Sequence, residues 1–419
     1  MPTPIVAVIA EYNPFHLGHA YHLSAIRKQV PGAKIIALMS GSCTQRGEPS
    51  LLDKWHKARL AIAGGIDLAL ELPFVYASRS AQEFARGGIR LASLLGLVTH
   101  LAFGAETDNL DELQKLAIAS EAPDLQAKLH ACIASGASYA SALTSLLAGA
   151  DARKEKMLRK PNNILAVEYL RALKHYAPRI KPLLIKRLGS GYHEERLSGT
   201  PSAAAIRKAL YAGQTPAEGW EAFCPPATAR ALTSLTPETL PNRERLWLTL
   251  RLVLLRRTQP ELRAIYGVTE GLENRLRRSA NEAGSLQEFI SRATTKRYPG
   301  SRIARLAPHL MLSFRRTDAN YFDQQGPAYA RILAASHTGT ELLHKMKNTA
   351  RIPLITKVSP YLTTHAREQA PEELTPLQRM LSYDTWATEL RELALPHPSG
   401  LNDFQQSPYF PRKDDLHAL

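Results

Sequence analysis

Two histidines, His16 and His19, bracket Leu17 and Gly18 in the stretch "AEYNPFHLGHA" (10–20), directly after the apolar run "IVAVIA" (5–10). At that spacing, on the first turn of a helix, both imidazoles can face one ligand. Gly18 removes the side chain that would otherwise obstruct it. The helix N-terminus adds free backbone N–H groups and a partial positive charge, a setting that suits phosphate. Imidazoles placed there can hydrogen-bond phosphate oxygens and stabilise the charge that grows during attack on phosphorus. The plain structural alternative is a pair of satisfied histidines packed at a helix start. Zinc is a poor fit, because His22 makes a third imidazole but no nearby cysteine or carboxylate set completes a tetrahedral site. The glycine fingerprints GxxxxGK[ST] and GxGxxG are both missing after the first strand, so this is a nucleotide-type site of another kind.

Such a turn needs a buried strand before it and a helix after it. Apolar runs at 5–10, 34–39, 67–72, 99–104 and 181–186 read as strands, and about 18–29, 53–64, 80–96, 109–133 and 161–176 as helices. Nearly continuous apolar strands separated by helices imply a doubly wound parallel α/β sheet covered on both faces. In such sheets ligands bind beyond the carboxyl ends of the strands, where the His-x-Gly-His turn falls. After about residue 215 the texture becomes proline-rich and then helical, giving a division into 1–215, a Rossmann-like nucleotide domain, and 216–419, a mostly helical basic region. The tail from His397 reads as irregular, loosely ordered chain.

The 419 residues carry a net charge of +15, and 251–316 is rich in arginine. An excess of that size points to a polyanionic partner, with nucleic acid ahead of a merely soluble basic surface. No run approaches the ~20 apolar residues of a membrane span, and the start lacks a secretory pattern. Three scattered cysteines, Cys43, Cys132 and Cys224, favour a reducing cytoplasm over disulfides or structural zinc.

Strand, His-x-Gly-His and helix in that order resemble the nucleotidyltransferase superfamily, whose members attack the α-phosphate of ATP and release pyrophosphate. The longer run "AEYNPFHLGHAYHL" resembles one family more closely, the bacterial tRNA(Met) cytidine acetate ligases. The stretches "MSGSCTQRGEPSLLDKWHKARLAI" (39–62), "GIDLALELPFVYASRSAQEFARGGIRLASLLG" (65–96), "LAFGAE" (101–106), "KPNNILAVEYLRAL" (160–173) and "IKRLGSGYHE" (185–194) follow in the family's order. Weaker echoes such as "TTKRYPGSRIARL" (294–306) extend the likeness. The resemblance implies a ligase that activates acetate with ATP, accompanied by Mg²⁺, as acetyl-adenylate. It then acetylates N4 of the wobble cytidine of elongator tRNA(Met). No covalent enzyme intermediate is needed.

By the same resemblance His16, His19 and Arg46 are the catalytic candidates. Ala7, Val8, Ile9, Ala10, Glu11, Tyr12, Asn13, Pro14, Phe15, Leu17, Gly18 and Ala20 would wrap ATP together with the histidines. Gly104, Asn162 (favoured over Asn163) and Arg187 would complete that site. Lys54 and Lys57 can equally be helix-surface charges, while Asp53 can cap the helix that follows. Ser202 and Arg207 match the superfamily's second phosphate signature; Ala204 stands where a hydroxyl residue is common. Ser42 and Cys43 replace an expected Asn-Phe pair, so packing or the acetate pocket can differ there. Arg256, Arg257, Arg277, Arg278, Lys296, Arg297, Arg302, Arg315 and Arg316 are the candidate footprint for tRNA phosphates, with Tyr298 and Tyr321 as base contacts. Two other readings stand beside this one: a small-molecule adenylyltransferase, and a non-catalytic RNA-binding protein with a nucleotide pocket.

Overall fold

A computed structural model describes residues 3–135, 137, 139–187, 202–215, 219–269 and 271–411. The strands are β1 (Ile5–Ala10), β2 (Lys34–Ser40), β3 (Leu68–Leu72), β4 (His100–Ala105), β5 (Lys181–Lys186), β6 (Ala330–Ala335) and β7 (Leu354–Ile355). They form one seven-stranded sheet in the order β5-β4-β1-β2-β3-β6-β7. Neighbours among β1 to β5 run parallel. From β1 the chain winds outward through β2 and β3, then returns to the other side for β4 and β5. The switch lies between β1 and β4, so a crevice opens at their carboxyl ends.

Each face of the sheet carries its own core. Ala7, Ile36, Leu70, Leu101 and Phe103 pack beneath the helices Ala81–Leu94 and Pro161–Tyr176, through side chains such as Phe84, Ile89 and Leu173. Val6, Val8, Ile35 and Ala37 face Leu23 and Ile26 of the Leu17–Gln29 helix and Trp55 and Ala58 of the Lys54–Ala63 helix. Helices between Trp247 and Met311 enclose a separate core of Leu250, Leu254, Leu272, Leu276, Phe289, Ile303 and Leu310.

The second half of the chain is mostly helical, but it also returns to the sheet. β6 runs antiparallel against β3, and β7 runs parallel to β6. A division at 215/216 therefore cuts across one continuous sheet. The helix expected over 109–133 is two helices, Leu110–Ala119 and Pro123–Ala134, because Pro123 cannot continue the first and starts the second.

As far as Pro411 the tail is irregular as expected but not loose. Tyr409 exchanges backbone hydrogen bonds with β6, from its N–H to Leu333 O (3.0 Å) and from Ala335 N–H to its own carbonyl (2.9 Å). Asp403, 1% exposed, accepts from Lys54 Nζ at 2.6 Å and from Arg331. Glu71 of β3 completes the group, 2.9 Å from Lys54 and 3.1 Å from Arg331. Two cations and two anions thus neutralise one another in the interior, where any one alone would be costly. Lys54 is not a helix-surface charge.

Candidate active site

His16 caps the Leu17–Gln29 helix, and the two imidazoles share that work. His16 Nδ1 accepts from Gly18 N–H at 3.0 Å, and His19 Nδ1 accepts from His16 N–H at 3.2 Å. The rings lie 3.9 Å apart, centroid to centroid. Because both Nδ1 atoms accept, each neutral ring carries its proton on Nε2. Burial, reinforced by Arg187 and Arg207, pushes His16 down to about 3. Burial and the neighbouring His16 hold His19 well below the usual histidine range, and burial with Arg187 brings His22 to about 4. Near neutral pH the pair therefore offers two oriented N–H dipoles rather than two cations. The structural and functional readings of this motif hold together: Nδ1 builds the helix start and Nε2 is left for a ligand.

The turn that carries them is tightly specified. Tyr12 sits in the left-handed region (φ 45°), with its ring 4.9 Å from Phe15 and 4.8 Å from His19. Asn13 Oδ1 accepts from Leu51 N–H at 2.7 Å, and Arg207 donates to the Asn13 carbonyl at 2.7 Å. Arg207 is fixed by the helix Ala203–Tyr211, which Ser202 caps. Lys57, 1% exposed, donates to Ser40 O and Gly41 O at 2.8 Å and to Glu11 O at 3.3 Å, tying the ends of β1 and β2 together. Its burial pushes the ammonium down to about 8. Lys57, like Lys54, is internal.

These elements surround a cavity of about 450 Å³ at the switch point. Of the anticipated ATP residues, Val8, Ile9, Ala10, Glu11, Tyr12, Asn13, His16, Leu17, Gly18, His19, Gly104, Asn162 and Arg187 line it, as do Arg46, Ser202, Ala204 and Arg207. Ala7, Pro14, Phe15 and Ala20 do not. Ala7 faces the core on the far side of the sheet, and Phe15 fills the core beneath the turn, where a side chain at Gly64 would meet its ring at 2.4 Å. Arg187 extends the β4–β5 ladder through its N–H to Ala105 O (2.9 Å). Its side chain lies over Gly104, where a Cβ would come within 3.1 Å of Arg187 Cγ.

The two asparagines divide their labour. Asn162 reaches the cavity and donates to Glu106 Oε1 at 2.8 Å. Asn163, 1% exposed, holds the loop after β4 by accepting from Glu106 N–H (2.9 Å) and Thr107 N–H (3.2 Å). Neither caps the helix, whose cap position is Lys160. Ser42 and Cys43 are buried away from the cavity: Ser42 Oγ pairs with Thr388 Oγ1 at 3.0 Å, and burial pushes the Cys43 thiol up to about 12. Tyr21, His22, Phe84, Ala102, Phe103, Leu165, Tyr169, Ile185, Lys186 and Ala203 also line the cavity. Helical spacing of Asn162, Leu165 and Tyr169 was the available signal for three lining positions.

The arginines of the helical body fall into two groups. Arg257 donates to Leu310 O (3.0 Å) and Ser313 Oγ (2.6 Å), Arg302 to Gly267 O (3.2 Å), and Arg316 to Val268 O (2.5 Å). Arg315 pairs with Glu372 at 3.1 Å. Arg256, Arg278 and Lys296 are exposed and Arg277 half-buried, with no hydrogen bond or ion pair among the described residues. Arg297 is exposed over the Tyr298 ring. Tyr298 itself is 7% exposed and bonded to Thr269 Oγ1 at 2.9 Å, and Tyr321 lies under Arg379, so Tyr298 is no platform for a base. The stretch 188–201, with most of "RLGSGYHE", lies outside the described residues.

The chain matches the family described as HIGH Nucleotidyl Transferase over residues 3–406. It is 36% identical to a tRNA(Met) cytidine acetate ligase of Syntrophomonas wolfei, over 96% of this chain and 99% of that protein. It is 34% identical to one of Halothermothrix orenii, over 96% and 98%. Its fold matches the crystal structure of apo Thermotoga maritima TmcAL with a TM-score of 0.87 and 30% identity, covering 98% of this chain and 100% of that one. The same enzyme bound with alpha-thio ATP matches at 0.86.

Proposed function

Because the chain belongs to the tRNA(Met) cytidine acetate ligase family of HIGH nucleotidyl transferases, we infer that it acetylates a tRNA cytidine using ATP and acetate. The observation that carries this reading is the pair of neutral imidazoles at a helix N-terminus. Their Nε2–H groups stand with Arg187 and Arg207 around one cavity at the switch point. That arrangement suits a triphosphate, with N–H dipoles and guanidinium groups on its oxygens.

A carboxylate oxygen of acetate attacks the α-phosphorus, a P–O bond forms, and the bond to pyrophosphate breaks. The N4 amine of the wobble cytidine of elongator tRNA(Met) then attacks the acetyl carbon. A C–N bond forms, the C–O bond to AMP breaks, and the amine gives up a proton. His16, His19 and the arginines serve the first step by meeting charge on the phosphate oxygens. Mg²⁺ fits as an ion carried by the triphosphate: among the described residues no group of three or more His, Cys, Asp or Glu could hold a metal. Arg256, Arg277, Arg278, Lys296 and Arg297 are the proposed contacts to the RNA backbone. Among the described residues no helix is long and apolar enough to cross a membrane, and we place the protein in the cytoplasm with its tRNA.

The test is incubation with ATP, labelled acetate and elongator tRNA(Met). Label is expected in the RNA only when ATP is present. Labelled RNA without ATP, or none with it, rejects the assignment.

A further inference from the structure

The cavity has an apolar side that the phosphate-facing groups leave unused. Side chains alternate across a strand. Val8, Ala102 and Ile185 accordingly belong to the core that holds the His16 helix, whereas Phe103 belongs to the opposite one, with Ile9 packed against it. On that opposite side the cavity is walled by Ile9, Phe84, Phe103, Leu165 and Tyr169. Leu165 and Tyr169 come from the Pro161–Tyr176 helix, and Phe84 from the Ala81–Leu94 helix. The latter helix sits hard against β1: a side chain at Gly88 would come within 2.4 Å of Ile9 Cδ1. The wall has no slack on that side.

Two features decide what fits. Phe84 and Phe103 are each 3% exposed and Tyr169 4%, and the Phe103 and Tyr169 rings lie 5.6 Å apart. Rings so little exposed form a crevice wall with no open face on which a nucleobase could stack. A small aliphatic group suits it instead. Tyr169 also contributes a hydroxyl that has no hydrogen-bond partner among the described residues, so the apolar wall carries one polar group. Glu11 lines the same side, but its carboxylate accepts from Gln45 N–H at 2.5 Å and lies close to the Lys57 ammonium. Arg46 lines the cavity beside Gln45.

Resting on the acetate-ligase reading, we propose that this crevice is the acyl subsite and limits the acid to two carbons. Ile9, Phe84, Phe103 and Leu165 enclose the methyl group. The Tyr169 hydroxyl donates to one carboxylate oxygen and leaves the other for the α-phosphorus. Tyr169 sets the acid's position, and the wall sets its length.

The experiment measures acid-dependent pyrophosphate release from ATP with acetate, propionate and butyrate, for wild type, Phe84→Ala, Leu165→Ala and Tyr169→Phe. Wild type is expected to prefer acetate. Leu165 is only half-buried, so its truncation tests the wall even if Phe84→Ala fails to fold. Either truncation is expected to raise the propionate-to-acetate ratio of kcat/KM about tenfold, the usual scale for one methylene in a pocket. The KM for ATP should stay within about twofold. Tyr169→Phe is expected to raise the KM for acetate about tenfold and leave the ratio between acids unchanged. Acid preference and acetate KM unmoved in folded variants, or a rise in ATP KM alone, overturns the subsite while leaving the ligase reading intact. Pyrophosphate release that needs no acid in wild type overturns both.

Discussion

The basic residues around the sheet and those on the helical body between Trp247 and Arg316 are the same residue types in opposite situations. Around the sheet, Lys54, Lys57 and Arg331 are buried and spend their charge on carboxylates and backbone carbonyls within the chain. On the helical body, Arg256, Arg278 and Lys296 are exposed and make no hydrogen bond or ion pair among the described residues, beside Arg257 and Arg302, which do. A net charge of +15 is therefore not one property but two. Internal cations set the fold, and on the helical body only the unpaired remainder is left for an RNA backbone. Which group a given arginine joins depends on whether a carbonyl or carboxylate from a distant segment arrives beside it.

The strongest probe of this contrast is Asp403→Asn. Removing one charge from the Lys54–Glu71–Arg331–Asp403 group leaves an unbalanced cation inside, and denaturant unfolding should show a loss of about 3–5 kcal/mol. A loss below 1 kcal/mol would mean the group is hydrated and the contrast overstated. Next comes His16→Ala, which deletes one of the N–H donors proposed to meet phosphate. Acetate-dependent pyrophosphate release should fall by about 10²- to 10³-fold, with only about 1 kcal/mol of stability lost with the helix cap. Circular dichroism separates the two effects.

Arg277→Ala with Arg278→Ala should weaken tRNA binding alike for all sequences and flatten its salt dependence by about one log unit per contact. Arg257→Ala should instead lower thermal stability and leave that salt slope unchanged. Acid should act through the buried histidines. Their folded pKa values lie below the unfolded 6.5, so as pH falls from 6.5 toward 3 the unfolded chain takes protons first. Stability is then lost by about 1 kcal/mol per pH unit for each such ring, visible as a falling melting temperature. The smallest effect is a flat line: the affinity for Mg²⁺-bound ATP should vary less than about twofold between pH 7 and 6, below the range in which Lys57 titrates. Tightening toward pH 6 would show that the site uses imidazolium cations.

The first five strands and the His-x-Gly-His turn were legible because each is a buried apolar run ended by an abrupt polar turn. β6 was not. "ARILAA" is six residues long and buried on both faces, so its period cannot be told from that of the helices beside it. The break at Pro123 is readable in the letters, since proline starts a helix far more readily than it continues one. Lys54 and Lys57 looked like surface charges because their partners, Glu71, Asp403 and the carbonyls of Ser40 and Gly41, come from other segments. The catalytic candidates were legible by type and order. The Nδ1 bonds that fix their protons on Nε2 depend on ring orientation, which letters do not carry. The aromatic wall was hidden because Phe84, Phe103 and Tyr169 read as ordinary core.

The return of β6 and the Asp403 segment to β3 bears on how the molecule is made. During synthesis the nucleotide-binding half leaves the ribosome with β3 as a bare edge and with Lys54 and Glu71 lacking their later companions. That edge stays open until the β6 residues, 330–335, have been made. A nascent chain halted before β6 should therefore pair promiscuously with other strands.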